Sequence, residues 1–273
     1  MIFAFRHIPL LFVLLLSLVL VSCEDFVIRD IPAEAAPDLV VEAILTNELR
    51  FQEIKLSKVY QERNGEVPGV SGASVLVGTN GIGYEFSEVA GQPGIYRSKI
   101  PFAVVDNLIY HLQIEWEGKT YEATSKLSEV GPLPEITFRR LGRTDNYTFG
   151  DFVPILNANQ QAMYEVYVTW SHLTNDNTSQ ALTYFYTFSS IHVNELIRPE
   201  KEQIIFPEGS IVIVRKYGLN DDFADFLFSM AIETEWDGKF YFAPSENLPT
   251  NISNDAWGFF STCAVVTDTL VVR

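Results

Sequence analysis

Residues 109–123 read IYHLQIEWEGKTYEA, and this stretch decides the fold class. Tyr110, Leu112, Ile114 and Trp116 alternate with other residues, which is the period of a β-strand with one buried face. The letters EGK then form a turn, and TYEA resumes the alternation. The stretch therefore predicts an antiparallel hairpin in a mainly β protein.

Short runs of the same kind precede this hairpin. Residues 39–45 (LVVEAIL) are nearly all apolar, as in a strand that is buried on both faces. Further runs near Ile54, Ala73, Tyr84 and Ile95 are separated by Asn-Gly and Pro-Gly turns. About seven short strands within about 95 residues predict an immunoglobulin-like β-sandwich, although the Cys-Trp-Cys signature of antibody domains is absent.

The letters GPLP at residues 131–134 mark the best candidate domain boundary, because glycine and proline end regular structure. The boundary divides residues 38–131, the predicted sandwich, from residues 132–273. Apolar and alternating runs beyond it predict a second antiparallel β-rich domain, and WGFF leads into the last of them. These runs occupy residues 165–170, 182–188, 211–214 and 264–272.

The period changes near residues 221–236, where apolar residues recur at helical spacing. Asn220 or Asp221 would cap the start of this amphipathic helix, and Gly238 follows its predicted end. The second domain is therefore predicted to carry one helix. Its apolar positions are Phe223, Phe226, Leu227, Met230 and Ala231.

The N-terminus has the pattern of a secretory signal. Arg6 precedes an apolar run at residues 8–21, which is too short to span a bilayer comfortably but suits a signal-peptide core. We therefore predict that residues 1–22 are a signal peptide and are removed.

The end of this run resembles the lipobox of bacterial lipoproteins. Leu20, Val21 and Ser22 precede Cys23, and in such signals the cysteine thiol is acylated and the chain is cut before it. Cys23 would then be the first mature residue, with acyl chains that hold the protein on a membrane without a spanning helix. The alternative is an ordinary signal peptide beside a chance cysteine.

The residues after the cysteine indicate the membrane face. Glu24 and Asp25 look like the signal that sends lipoproteins of Bacteroidota-type bacteria to the outer surface of the outer membrane. Residues 23–37 are polar and contain alanine and proline, so they predict an extended tether. We therefore expect a lipid-anchored protein that faces the cell exterior.

The charge balance excludes some partners. The chain has 35 acidic and 19 basic side chains, and removal of the signal peptide also removes Arg6. This acidity argues against nucleic acid, which basic side chains bind, and against a polybasic grip on anionic lipid. Solubility at a crowded surface explains the acidity, and cation binding is the alternative.

The sequence offers few groups that could act together in catalysis. His7, His111, His172 and His192 lie far apart, and no HExxH, GxSxG, Walker or GxGxxG motif occurs. A pair of catalytic carboxylates stays open among so many acids. We predict a protein that is not an enzyme and has no cofactor.

Three other features could bind a ligand. Asp221, Asp222 and Asp225 could contribute to a calcium site, but acids at a helix start suit capping better. Cys263 has no second cysteine once Cys23 is acylated, so a buried small residue is the interpretation. Trp257 could stack on a sugar, although most of the aromatic residues fit core packing.

Several segments match a known family in their order and spacing. Together they resemble an uncharacterised lipoprotein family of Bacteroidota, designated a domain of unknown function and often encoded beside TonB-dependent receptors. The resemblance implies an immunoglobulin-like first domain and a β-rich second domain, and it brings no catalytic residues. The segments are the lipobox, residues 39–43, 70–75, 94–96, 110–112, 118–123, the predicted helix, 249–252 and 258–260.

These observations predict a lipid-anchored surface protein that is a non-enzymatic accessory subunit of a TonB-dependent transporter or a similar β-barrel complex. The transporter is implied by the resemblance and not by any residue. The lipid would confine the protein to two dimensions, which raises its concentration near a membrane partner. Two rival functions are the capture of a nutrient or glycan, and a structural role in a surface assembly or protein-export machine.

Overall fold

The computed structural model describes residues 39–59, 67–150, 159–174, 176, 178–189, 203–234 and 248–273. The predicted signal peptide, lipobox and tether, with Cys23, Glu24 and Asp25, lie outside these residues. The mainly β prediction is confirmed, because strands form three sheets and the described helices are few.

The first sheet contains the seven predicted N-terminal strands and one strand from near the C-terminus. Its order is β14-β1-β2-β5-β4-β3-β6-β7, and all its pairs except β14 with β1 are antiparallel. The strands are β1 (Val40–Thr46), β2 (Glu53–Ser57), β3 (Ser74–Thr79), β4 (Ile82–Glu88), β5 (Ile95–Ser98), β6 (Ile109–Trp116), β7 (Lys119–Lys126) and β14 (Trp257–Cys263).

The pairing of β1 to β7 is that of an immunoglobulin-like sandwich. β1, β2, β5 and β4 are neighbours in the order of strands A, B, E and D, and β3, β6 and β7 are neighbours in the order of C, F and G. The β3–β4 hairpin is also hydrogen-bonded and joins the two sets. The predicted architecture of the N-terminal region is therefore confirmed.

The hairpin at residues 109–123 forms as its pattern predicts. Tyr110, Leu112, Ile114 and Trp116 of β6 are buried, while alternate residues lie nearer the solvent. Glu117 and Gly118 have φ angles of 49° and 78°, and a two-residue turn with positive φ at both positions is type I′. The right-handed twist of such a turn suits antiparallel strands, which fixes the register of β6 on β7.

β14 closes the first sheet by pairing in parallel with β1. Val41 lies opposite Gly258, and at the other side of β14 the Thr262 amide donates to Ser125 Oγ at 2.9 Å. Ser128 after β7 forms a parallel bridge with Cys263. β14 therefore lies between β1 and β7, which would otherwise be the two edge strands of the first sheet.

The second region is built on an antiparallel sheet of order β11-β10-β13-β15. Its strands are β10 (Ala162–Thr169), β11 (Gln180–Thr187), β13 (Ile211–Gly218) and β15 (Val265–Val271), which cover the four predicted runs. A small sheet of β8 (Phe138–Arg140), β9 (Asn146–Phe149) and β12 (Phe206–Pro207) was not predicted. The single turn α1 (Ser171–Thr174) follows β10.

The predicted amphipathic helix is α2 (Asp221–Thr234). Asn220 is its cap, because Asn220 Oδ1 accepts a hydrogen bond from the Phe223 amide at 2.8 Å. The predicted end near Gly238 lies outside the described residues. In the described part of the chain, no helix is both long and apolar enough to cross a membrane.

The face of β1 toward the sandwich is buried, but the prediction that both faces are buried is wrong, because Glu42 on the outer face is exposed and Val40 and Ile44 are only half-buried. Val41, Ala43 and Leu45 point into the sandwich core, while Ile44 on the other face packs against a second core. That second core includes Phe223 of α2, and residues 37–273 form one compact unit. The division at residue 131 stays a prediction, but β14 belongs to the first sheet although it follows the second region in sequence.

Gly258 tests how closely β14 approaches β1. Its φ is 98°, and a Cβ atom there would lie 1.9 Å from the Val41 carbonyl oxygen. Gly91 is the matched control, because its φ is 77° and a Cβ atom there would meet nothing within 4 Å. We expect Gly91→Ala to lower the free energy of unfolding by about 1 kcal/mol through backbone strain.

We expect Gly258→Ala to lower that free energy by about 2 kcal/mol more, because the two strands must separate to admit the methyl group. Urea unfolding of both variants measures the difference. Equal losses for the two variants would contradict the close approach of β14 to β1.

Candidate functional site

A cavity of about 450 Å³ lies between the outer face of β1, the sheet of β10, β11 and β13, and helix α2. Its position follows from the arrangement of β1, whose Glu42, Ile44 and Thr46 turn away from the sandwich core. Clefts of this size hold small molecules in many proteins. It is therefore the candidate functional site.

The strand register places two rows of side chains along one wall of the cavity. In the first row Glu165 of β10 lies opposite Tyr184 of β11 and Arg215 of β13. In the second row Met163 lies opposite Tyr186 and Tyr217 on the same two neighbours. One end of the wall is therefore charged, and the other is apolar and aromatic.

The apolar end is completed by α2 and β14. Phe223 of α2 stacks on Phe259 of β14 with ring centroids 5.0 Å apart, and the ring of Phe226 lies 5.3 Å from that of Phe259. Leu227 and Met230 on the next turn of α2 also line the cavity. These positions recur at helical spacing, so the amphipathic face that the sequence predicts forms this part of the site.

The charged end is organised around Arg215, whose side chain is largely buried. Its Nη2 atom donates a hydrogen bond to Glu48, which comes from the loop after β1. Its Nη1 atom lies 3.6 Å from Glu165 Oε1, beyond hydrogen-bonding distance. The Arg215 guanidinium also lies 5.2 Å from the centre of the Tyr217 ring, in cation–π contact.

Two tyrosines report the electrostatics of this wall. Burial raises the pKa of Tyr217, and the negative charge of Glu165 raises it further. Burial and the charge of Glu165 likewise raise the pKa of Tyr184. Glu165 therefore disfavours a second negative charge at both phenols, and Arg215 partly offsets this effect at Tyr217.

The structure does not bring the predicted histidines together. His111 is exposed on β6 of the first sheet. His172 lies in the second region, where its Nε2 atom is 3.1 Å from the carbonyl oxygen of Gly209, just before β13. His7 and His192 lie outside the described residues. Within the described ranges, no group of three or more His, Cys, Asp or Glu side chains could hold a metal ion.

The acids at the start of α2 take part in helix-end contacts. Asp221 and Asp222 lie in the first turn, where carboxylates interact favourably with the helix dipole. Asp221 Oδ1 also accepts a hydrogen bond of 2.6 Å from Gln161 Nε2. Asp225 is exposed on the next turn.

Cys263 and Trp257 both lie on β14. Cys263 is fully buried, as the sequence predicts, and burial raises the pKa of its thiol to about 12. Trp257 is half-buried, opposite Val40 in the parallel pair. Both residues help to build the closing strand of the first sheet.

The sequence analysis did not identify the cavity residues. Glu165 and Arg215 are half-buried charged residues within mostly apolar strands, and that interruption is the signal that could have indicated them. Their meeting depends on the register of β10 on β13, which no local pattern contains.

The chain matches the model of one protein family over residues 25–269, and the family is described as Domain of unknown function (DUF4249). Because the match covers most of the sequence, the chain belongs to this family. The match includes all the described strands of the first sheet and those that form the cavity. No curated protein matches the chain.

The buried thiol of Cys263 makes stability depend on pH in the alkaline range. Its folded-state pKa of about 12 exceeds the value of about 8.5 in an unfolded chain. The contribution of the protonated thiol is therefore fully present below about pH 8.5 and is lost as the pH rises toward 12.

We expect the difference in unfolding free energy between the wild type and Cys263→Ala to be constant below about pH 8. Above about pH 9 the advantage of the wild type should fall by about 1.4 kcal/mol per pH unit. Urea unfolding at a series of pH values measures this difference, and other titrating groups cancel because both proteins contain them. A difference independent of pH would show that folding does not raise the pKa of the Cys263 thiol.

Proposed function

We propose that the chain is a lipid-anchored outer-membrane surface protein that serves as a non-enzymatic accessory subunit of a β-barrel complex, such as a TonB-dependent transporter. The observation that carries the proposal is a group of four exposed large apolar side chains in neighbouring segments beyond β1 and β5, in a chain whose residues 20–23 resemble a lipobox. The lipid would hold the protein beside its partner, and these side chains would contact that partner.

We call the exposed residues Leu49, Phe51, Ile100 and Val105 of these neighbouring segments the apolar patch. Their side chains are between 48% and 77% exposed, which is unusual for four large apolar residues in neighbouring segments. Exposed apolar patches of this kind mark contacts with other proteins or with membranes.

Hydrogen bonds join the two segments that carry the patch. The Phe102 amide donates to the Arg50 carbonyl oxygen at 3.0 Å, and Gln52 Nε2 donates to the Phe102 carbonyl oxygen at 2.9 Å. Gln52 is buried, so it fixes the loop after β1 to the segment after β5. The patch is thus built on a rigid support, as suits a preorganised contact surface.

The position of the patch supports a protein partner. It lies beyond the C-terminal end of β1, roughly 20 Å along the strand from the point where the chain enters the fold. Side chains at that distance from the entry point can meet a protein that projects from the membrane beside this one. The acidic composition of the chain argues against a polybasic contact with anionic lipid.

Capture of a small ligand is the second candidate function. The cavity between β1 and α2 favours it, because its size and its mixture of aromatic and charged walls are those of small-molecule sites. A transporter subunit that also captures a ligand would combine the two functions.

Replacement of Cys23 tests the anchor. We expect the wild type to be labelled by fatty acid and to fractionate with the outer membrane, whereas Cys23→Ser is unlabelled and leaves that fraction. Cys263→Ser, which keeps the lipobox, is the control. A wild type without label, or a Cys23→Ser variant in the same membrane fraction, would refute the anchor.

The patch is tested by crosslinking intact cells and purifying the protein with its partners. We expect the double variant Leu49→Ser, Phe51→Ser to recover at least about tenfold less β-barrel protein than the wild type, since apolar contacts dominate such interfaces. Leu182→Ser is the matched control, because Leu182 is 54% exposed on β11 of the other sheet. Unchanged recovery by the double variant, or the absence of a barrel protein with the wild type, would refute the accessory role.

A further inference from the structure

We propose that the cavity between β1 and α2 binds a small organic cation with an apolar body and an amine or guanidinium head. The inference rests on the second candidate function, ligand capture, and assigns the class of ligand. It follows from the separation of an apolar end from a charged end, and from the capacity to accept hydrogen bonds that the lining residue Glu165 leaves unused among the described residues.

The apolar end of the cavity would contact the apolar body of the ligand. Met163, Phe226 and Leu227 offer side chains without polar groups, and the neighbouring Phe259 ring closes this end of the cavity. Phe226 and Met230 are half-buried, so the apolar body would cover surface that the fold itself leaves partly open. Burial of such surface is the main favourable contribution to binding of a small molecule.

The carboxylates at the rim are already engaged with basic side chains. Glu42 Oε1 lies 2.8 Å from Lys55 Nζ, and Glu53 Oε1 accepts from Arg97 Nε at 2.8 Å. These pairs are exposed and lie on the surface of the sandwich. They leave Glu165 as the lining carboxylate from which a ligand would be recognised.

Glu165 has unused capacity to accept hydrogen bonds. Its side chain is 26% exposed, and its nearest basic partner among the described residues is Arg215, at 3.6 Å. Arg215 donates its hydrogen bond to Glu48 and not to Glu165. A carboxylate can accept several hydrogen bonds, and an ammonium or guanidinium head supplies the donors.

An anionic head fits the same place poorly. It would have to share Arg215 with Glu48 while lying close to Glu165, whose charge adds to the effect of burial in raising the pKa of Tyr184 and Tyr217. Arg50 also lines the cavity, but its side chain is 45% exposed and faces Glu48 at 3.9 Å. Exposed arginine side chains are screened by water and contribute little to binding of an anion.

Aromatic rings flank the proposed site for the head. Tyr184 lies directly opposite Glu165 on the neighbouring strand, where side chains are about 5 Å apart. Tyr217 is one row farther along and already contacts the Arg215 guanidinium with its ring. A second cation near these rings would gain from both the carboxylate and the π systems.

Three probes with one shared body test the assignment: phenylbutylamine, phenylbutanol and phenylbutyrate. Calorimetric titration would use the full mature chain in nanodiscs of zwitterionic lipid. We expect the amine to bind about tenfold more tightly than the alcohol, and the acid to bind more weakly than both, because only the amine gives Glu165 a charged donor.

Two variants and a control locate the interaction. We expect Glu165→Gln to reduce the preference for the amine over the alcohol to less than about threefold while the alcohol affinity stays unchanged. Met230→Trp should weaken all three probes, because the larger ring fills the apolar end. Glu115→Gln, at an exposed position on β6, should change nothing.

The outcomes separate the ligand class from the functions on which it rests. Equal affinity for the amine and the acid, or an unchanged preference in Glu165→Gln, would overturn the cation assignment and leave ligand capture in place. Absence of binding by all three probes would overturn both. Neither result bears on the accessory role, which the recovery of a β-barrel protein decides.

Discussion

The parallel pairing of β14 with β1 is the interaction on which the rest of the structure depends. It gives β1 a neighbour on each side within the first sheet and brings the C-terminal part of the chain against the sandwich. The approach is so close that the backbone at Gly258 leaves no space for a side chain beside Val41. β14 then passes directly into β15, so two consecutive strands belong to two different sheets.

This pairing also determines where the cavity lies. With β14 in place, Phe259 and Ile44 present apolar surface outside the sandwich, and α2 packs on it. The sheet of β10, β11 and β13 lies opposite this surface. Arg215 of β13 donates a hydrogen bond to Glu48, which follows β1, across the space between the two sheets. The two layers therefore meet through aromatic contacts at one end and through charged side chains at the other, and a space remains between them.

Local patterns predicted much of this fold. Some features depend on only a few neighbouring residues and can be predicted directly from the sequence. They are the alternation in β6, the turn at Glu117 and the cap at Asn220. β14 was not predicted as a partner of β1, because that pairing joins residues about 200 positions apart and no short pattern encodes it. The cavity was missed for the same reason: Glu165, Tyr184 and Arg215 become neighbours only through the register of three strands.

The place of β14 in the chain has a consequence for biogenesis. An immunoglobulin-like domain at the start of a chain ordinarily completes its fold while later residues are still being delivered. Here the first sheet lacks a strand until residue 263 has arrived, and a partner strand that distant slows the search for native contacts. A product truncated before β14 would leave Val40–Thr46 as an uncovered edge open to aggregation.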